Sequence, residues 1–335
     1  MPRASASPVR AWWAQRSPAA GAAVMATGIV SVALRLAGYE VLSRVTLVLA
    51  CAAWSGLAAE FVLRLLRERE RWVAEAATPG ALTAVAATTV IGAGFAALDL
   101  LRLAEVMLAL ATVLWPVLLV LVVSRWRRRM PGAVFLCCVA TEGLALLGAT
   151  LAAAESAAWL ARAAMVLFWF GLVLYALALF HFDWRQVFEG AGDHWIAGGA
   201  LAISGLAGAR LLTADGPHLY LWNEDGSGVL RFATVSLLVL DLAWYVVLLT
   251  AEIVRPRLGY DTRRWSTVFP LGMTAAATLS ASAVVGAPWL EHLGHVLVWV
   301  AVAVWLVVAA GAAGSARSAW TSSPAREAIR SRGRR

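Results

Sequence analysis

The chain has 335 residues, 61% of them apolar and only 14% charged, with a net charge of +8. That balance excludes a soluble domain and specifies a polytopic membrane protein. A bilayer core about 30 Å thick takes about 20 apolar residues per helix, and ten stretches of that order are found along the chain.

In chain order the spans are predicted at 18–36, 44–65, 79–98, 104–124, 132–153, 160–181, 195–212, 231–254, 265–287 and 294–315. Most connections are short, so 18–315 reads as a single all-α transmembrane domain. An N-terminal tail (1–17) and a basic C-terminal tail (316–335) flank it. The opening "MPRASASPVRAWWAQR" carries no small-residue cleavage site ahead of a soluble domain, so the first span is read as retained. Cys51, Cys137 and Cys138 fall inside predicted spans without metal-ligand spacing, so no disulfide, metal or cofactor is expected.

All the basic residues are arginines, and they are unevenly placed. Twenty-two lie in the tails and in the connections from even to odd spans, against six at the opposite borders (Arg35, Arg44, Arg102, Arg162, Arg210 and Arg231). By the positive-inside rule both termini are cytoplasmic, and the plasma membrane is the expected location. The runs "SRWRRRM" and "REAIRSRGRR" therefore read as topogenic and lipid-facing, and no nucleic-acid partner is expected.

The spans fall into two populations. Mid-span tryptophans (Trp54, Trp115, Trp169, Trp244, Trp299 and Trp305) all sit on even-numbered helices, while odd-numbered helices are rich in small and hydroxylic residues, as in "TAVAATTVIGAG" and "GGALAISGLAGA". Small residues permit close backbone approach or line a narrow lumen. The expected architecture is five hairpins, each an odd helix followed by an even one, starting near residues 18, 79, 132, 195 and 265. Odd helices lie inside and bulky even helices face lipid. The inner five either enclose a pore or form a solid bundle core, and the alternation alone leaves both open.

Three segments in order, "AAVMATGIVSVAL" (22–34), "GDHWIAGGALAISGLAGA" (192–209) and "WSTVFPLGM" (265–273), resemble characteristic segments of the tellurite-resistance/dicarboxylate transporter family, which includes the plant slow anion channels. The resemblance runs over nearly the whole chain. It implies ten helices in five hairpins around a central pore, small anions as the substrates, and a homotrimer with one pore per subunit. It also implies that a phenylalanine just before a proline on the ninth helix plugs the pore, which here is Phe269 beside Pro270.

The residues offer independent support for an anion. With the N-terminus inside, all five odd helices run outward and present their positive dipole ends at the cytoplasmic mouth. Hydroxyls at Thr27, Ser31, Thr88, Thr141, Ser204, Thr267 and Thr274, with Thr83, Thr89, Ser266 and Thr278, are candidate pore-lining donors without a fixed cation to trap the ion. The alternative is that each bonds the carbonyl one turn back in its own helix. Pro270 cannot donate to the carbonyl of Ser266 and kinks the ninth helix. A kink beside a bulky ring on the inner layer reads as a constriction; otherwise Phe269 simply packs between helices.

Two acids stand near the middle of spans, Glu142 and Asp241. Glu142, near the centre of the fifth helix, costs about 2.5–3.5 kcal/mol on insertion scales if charged. It is pore-lining and a candidate proton-coupling group, or a neutral acid bonded to a neighbouring helix. Asp241 on the eighth helix is expected to have a structural partner. The pairs of His with acids in "HFDWR", "GDHW" and "EHLGH" lie at membrane borders and offer no converging metal set. No nucleophile elbow, phosphate loop or zinc-protease motif occurs, so an enzyme is not expected. The function expected is an anion channel or transporter, with a proton-coupled carrier as the alternative and an intramembrane enzyme or scaffold third.

Overall fold

A computed structural model describes residues 20–214, 224–257 and 259–321. The 1–17 tail lies outside the described residues, and the predicted 316–335 tail is described only to Thr321, where it prolongs the last helix. Ten long helices carry the fold: α1 Ala20–Leu36, α2 Glu40–Arg67, α3 Thr83–Ala96, α4 Leu101–Val123, α5 Leu136–Glu155, α6 Ala158–His181, α7 Ile196–Ala214, α8 Glu224–Val254, α9 Trp265–Val285 and α10 Trp289–Thr321. Among the described residues nine helices are long and apolar enough to cross a membrane, and α1 is apolar but shorter, at 17 residues. Helices are the expected outcome, because in hydrocarbon each backbone polar group must be satisfied within its own segment.

The helix ends carry regular signals. α3, α5, α7 and α9 are each preceded by a 3-10 turn, at Pro79–Leu82, Gly132–Phe135, Asp193–Trp195 and Thr262–Arg264. The tight turns supply i→i+3 bonds where an α-helix has none. α9 ends at Gly286, whose φ of 70° is the left-handed conformation that glycine adopts without penalty, and its N–H closes on the carbonyl of Ser282. Sequence alone did not reveal a short helix, Arg69–Ala76, between α2 and α3.

Packing separates the two populations expected from composition. Each odd helix packs on the even helix that follows it, α1 on α2 through α9 on α10. Odd helices also pack on one another in chain order, α1 on α3, α3 on α5, α5 on α7 and α7 on α9, and α9 packs back on α1. In the apolar windows of the odd spans from α3 onward, 61–94% of residues are buried, against 17–33% in the even spans. The even helices keep large side chains such as Val113, Val166, Phe232 and Val307 exposed, as an apolar solvent demands.

Candidate functional site

The proline on α9 shapes the site. Pro270 lies inside the helix and is buried, and Phe269 before it is 1% exposed. The close approach of α7 makes room for them. A β-carbon on Gly199 would stand 2.9 Å from Pro270 Cγ and 3.2 Å from Phe269 Cε1, so any side chain there collides with the proline ring. The start of α9 is fixed separately. The Asp261 carboxylate accepts from the Arg263 backbone N–H at 2.8 Å, and Arg264 donates to Glu252 of α8 at 2.8 Å. The Arg263 guanidinium beside Asp261 holds its carboxyl below the usual carboxylate range.

Five of the hydroxyls expected to line a pore donate to backbone carbonyls. Thr27, Thr88, Thr141 and Ser204 donate to the carbonyls of Ala23, Ala84, Cys137 and Ala200 at 2.7–2.8 Å, and Ser31 donates to the carbonyl of Ser43 in α2 at 2.7 Å. A hydroxyl has one proton, so none of these is left to donate to an ion. Three of them also accept an indole N–H from an outer helix: Trp54 on Thr88, Trp115 on Thr141 and Trp305 on Thr27, at 2.9, 2.9 and 3.0 Å. These three tryptophans therefore turn inward from the outer helices, whereas the mid-span Trp169 and Trp299 are exposed. Thr267 makes only a long contact, 3.5 Å, with the carbonyl of Gly192.

In each bond the tryptophan belongs to the hairpin preceding that of its threonine, and Trp305 on Thr27 runs from the last hairpin to the first. The remaining two seams differ. Thr274 donates outward, to Asp241 Oδ1 of α8 at 3.1 Å. On α6, Gly171 stands 33 residues before Ser204, the separation of Asp241 from Thr274. The space at Gly171 is taken by Glu142, whose Oε1 would lie 2.5 Å from a β-carbon there. Glu142 and Asp241 thus occupy seams that lack the indole.

Glu142 is fully buried and neither of its carboxyl oxygens has a hydrogen-bond partner; Asp241 is fully buried with Oδ2 unpartnered. The end of the Glu142 side chain lies against α6, an outer helix. Asp241 has the structural partner expected of it. At the end of the bundle where α7 and α9 begin, His194 is buried and lies 3.3 Å from the Arg257 guanidinium through Nε2. Gly199 was not singled out in the sequence, where its only signal is the Gly198–Gly199 pair. A cavity of about 370 Å³ opens between α2, α4 and the outer side of α3, lined by Trp54, Phe61, Trp72 and Leu110 among others, and thus sits apart from the Phe269 site.

Residues 15–313 match the family model described as SLAC1, voltage-dependent anion channel. The chain belongs to this family. The voltage-dependent anion channel family comprises membrane channels and transporters of anions rather than enzymes, in agreement with the resemblance in the three segments around 22–34, 192–209 and 265–273. Two uncharacterized membrane proteins of Mycobacterium tuberculosis, from strains CDC 1551 / Oshkosh and ATCC 25618 / H37Rv, are each 33% identical over 121 residues. The match takes in 34% of this chain, and the chain spans 59% of the length of each of these relatives.

Proposed function

We propose that this voltage-dependent anion channel family member passes small anions, inorganic or carboxylate, along a pathway between α1, α3, α5, α7 and α9, occluded by the ring of Phe269. The observation that carries this reading is the direction of α9. Its Thr274 meets α8, Leu279 abuts Gly294 of α10, and Gly272 abuts Ile29 of α1. With about 100° of turn per residue, the face left between α1 and α7 holds Phe269, Met273, Ala276 and Ser280, and that face points to the middle of the five. The Pro270 kink then sets the ring across the pathway.

In this reading the wall is built from small and apolar side chains, with α9 contributing Phe269. The hydroxyls of Thr27, Thr88 and Thr141 instead hold neighbouring hairpins together. Weak, non-trapping walls favour throughput over tight binding. The chain sits in the plasma membrane with both termini cytoplasmic, supported by the arginine distribution, and assembles as a trimer with one pathway per protomer, supported by the resemblance. Phe269→Ala tests the occlusion: it raises anion current in planar bilayers, and an unchanged current from well-incorporated protein removes Phe269 from the gate.

A second reading, proton-coupled carriage of dicarboxylate, sulfite or tellurite-type anions, is favoured by one observation, the unpartnered carboxyl of Glu142. Flux measured in vesicles under an imposed pH gradient separates the two. Coupled carriage requires that Glu142→Gln abolish the pH-driven component, whereas the channel reading predicts the same flux in both proteins.

A further inference from the structure

Among the described residues Arg210, near the end of α7, takes part in no ion pair and its side chain makes no hydrogen bond. It is nonetheless half-buried. An uncompensated cation in a membrane segment is costly to keep, and such groups mark ion pathways.

Its direction follows from its neighbours. On α7, Gly198 and Gly208 face Trp244 and Thr234 of α8, Ser204 faces Cys138 of α5, and Gly199 faces Phe269 and Pro270. Arg210 comes eleven residues after Gly199, so it returns to within about 20° of the same direction, three turns and about 16 Å further along the helix. Ser280 comes eleven residues after Phe269 and stands in the same relation to that ring on α9. α7 and α9 pack side by side, and their starts meet where Thr267 reaches Gly192. Counted from the contact of Gly199 with Phe269, Arg210 and Ser280 each come eleven residues, about 16 Å, further along their own helix, toward the end away from the 3-10 turns. Ser280 differs from the other inner-helix hydroxyls: its Oγ is buried without any partner, while Thr278 and Ser282 on either side donate to carbonyls of their own helix.

We infer that Arg210 and Ser280 form an anion-binding site at this end of the pathway. The guanidinium supplies charge and a fork of donors, the hydroxyl a further donor, and the ligand class is a small inorganic oxyanion, halide or carboxylate. The site rests on the pathway reading for its role in transport, though binding at it is measurable on its own. A fixed cation at the mouth raises the local anion concentration, while its partial exposure keeps the ion free to leave.

Two measurements on the purified full chain test it. In thermal unfolding in detergent, rising sodium nitrate at constant ionic strength, balanced by a sodium salt of a large anion, raises the midpoint of the native protein and of Arg210→Lys, and leaves Arg210→Gln flat. In bilayers, Arg210→Gln raises the half-saturating chloride concentration about tenfold, the lower range of electrostatic focusing, and Ser280→Ala raises it less. Folded Arg210→Gln that nitrate still stabilises as it does the native protein overturns the site, whatever the currents. Nitrate stabilisation that depends on Arg210, together with a Phe269→Ala protein whose current is unchanged, keeps the site and overturns the gate.

Discussion

Trp305 on the last helix donates its indole N–H to the hydroxyl of Thr27 on the first, across 3.0 Å. The bond spans 278 residues of chain, and with Trp54–Thr88 and Trp115–Thr141 it repeats one connection between successive hairpins. In each pair the threonine has already given its own proton to the helix backbone, so it is available to the indole as an acceptor alone.

Removing one such donor by Trp→Phe leaves a partnered threonine and a smaller apolar ring. Trp305→Phe is expected to lower stability by about 1 kcal/mol, in the range of interhelical hydrogen bonds in membranes. Thermal unfolding in detergent measures it, and Trp305→Phe with Trp115→Phe should cost the sum, because the two seams share no residue.

The seam between α8 and α9 runs with opposite polarity, Thr274 donating to Asp241. Thr274→Val therefore strands a buried carboxylic group, at a cost of about 1–3 kcal/mol, whereas Asp241→Asn keeps an acceptor for the hydroxyl. The same unfolding assay should rank Thr274→Val clearly below Asp241→Asn; equal midpoints would show that the bond carries no stability.

Asp261, at the start of α9, is held below the usual carboxylate range by Arg263. A carboxyl depressed in the folded state stabilises it fully above the unfolded value of about 4. That contribution is lost as the pH falls through the depressed folded value. Asp261→Asn should lie below the native protein at pH 7, and the gap between the two midpoints should close on acidification below pH 4. Because the pair is solvent-exposed, the gap is expected to be no more than about 1 kcal/mol.

Much of the architecture was legible in the sequence because apolar length and the contrast between tryptophan-bearing and small-residue helices are local properties. Nine of the predicted spans coincide with helices long and apolar enough to cross a membrane, and the first coincides with the shorter α1. Side-chain direction was not legible. Thr27 and Phe269 both occur on small-residue helices, yet Thr27 turns to the outer layer, and only the partners Trp305 and Gly199, hundreds or tens of residues away, fix where each points. Glu142 shows the same limit: its position near the middle of α5 was plain, but its place against Gly171 depends on a second helix. Ser280 escaped notice because the signal that sets it apart from Thr278 is the absence of a hydrogen bond.

The central claim is that the ring of Phe269 closes an anion pathway between the odd-numbered helices. Single-channel or macroscopic current from Phe269→Ala protein in planar bilayers under a chloride gradient tests it most directly. The predicted result is a current at least about tenfold above the native protein, equivalent to roughly 1.4 kcal/mol of barrier, reversing near the chloride equilibrium potential. Native-level current from folded, inserted Phe269→Ala protein, or an increased current that reverses at the cation potential, would contradict it.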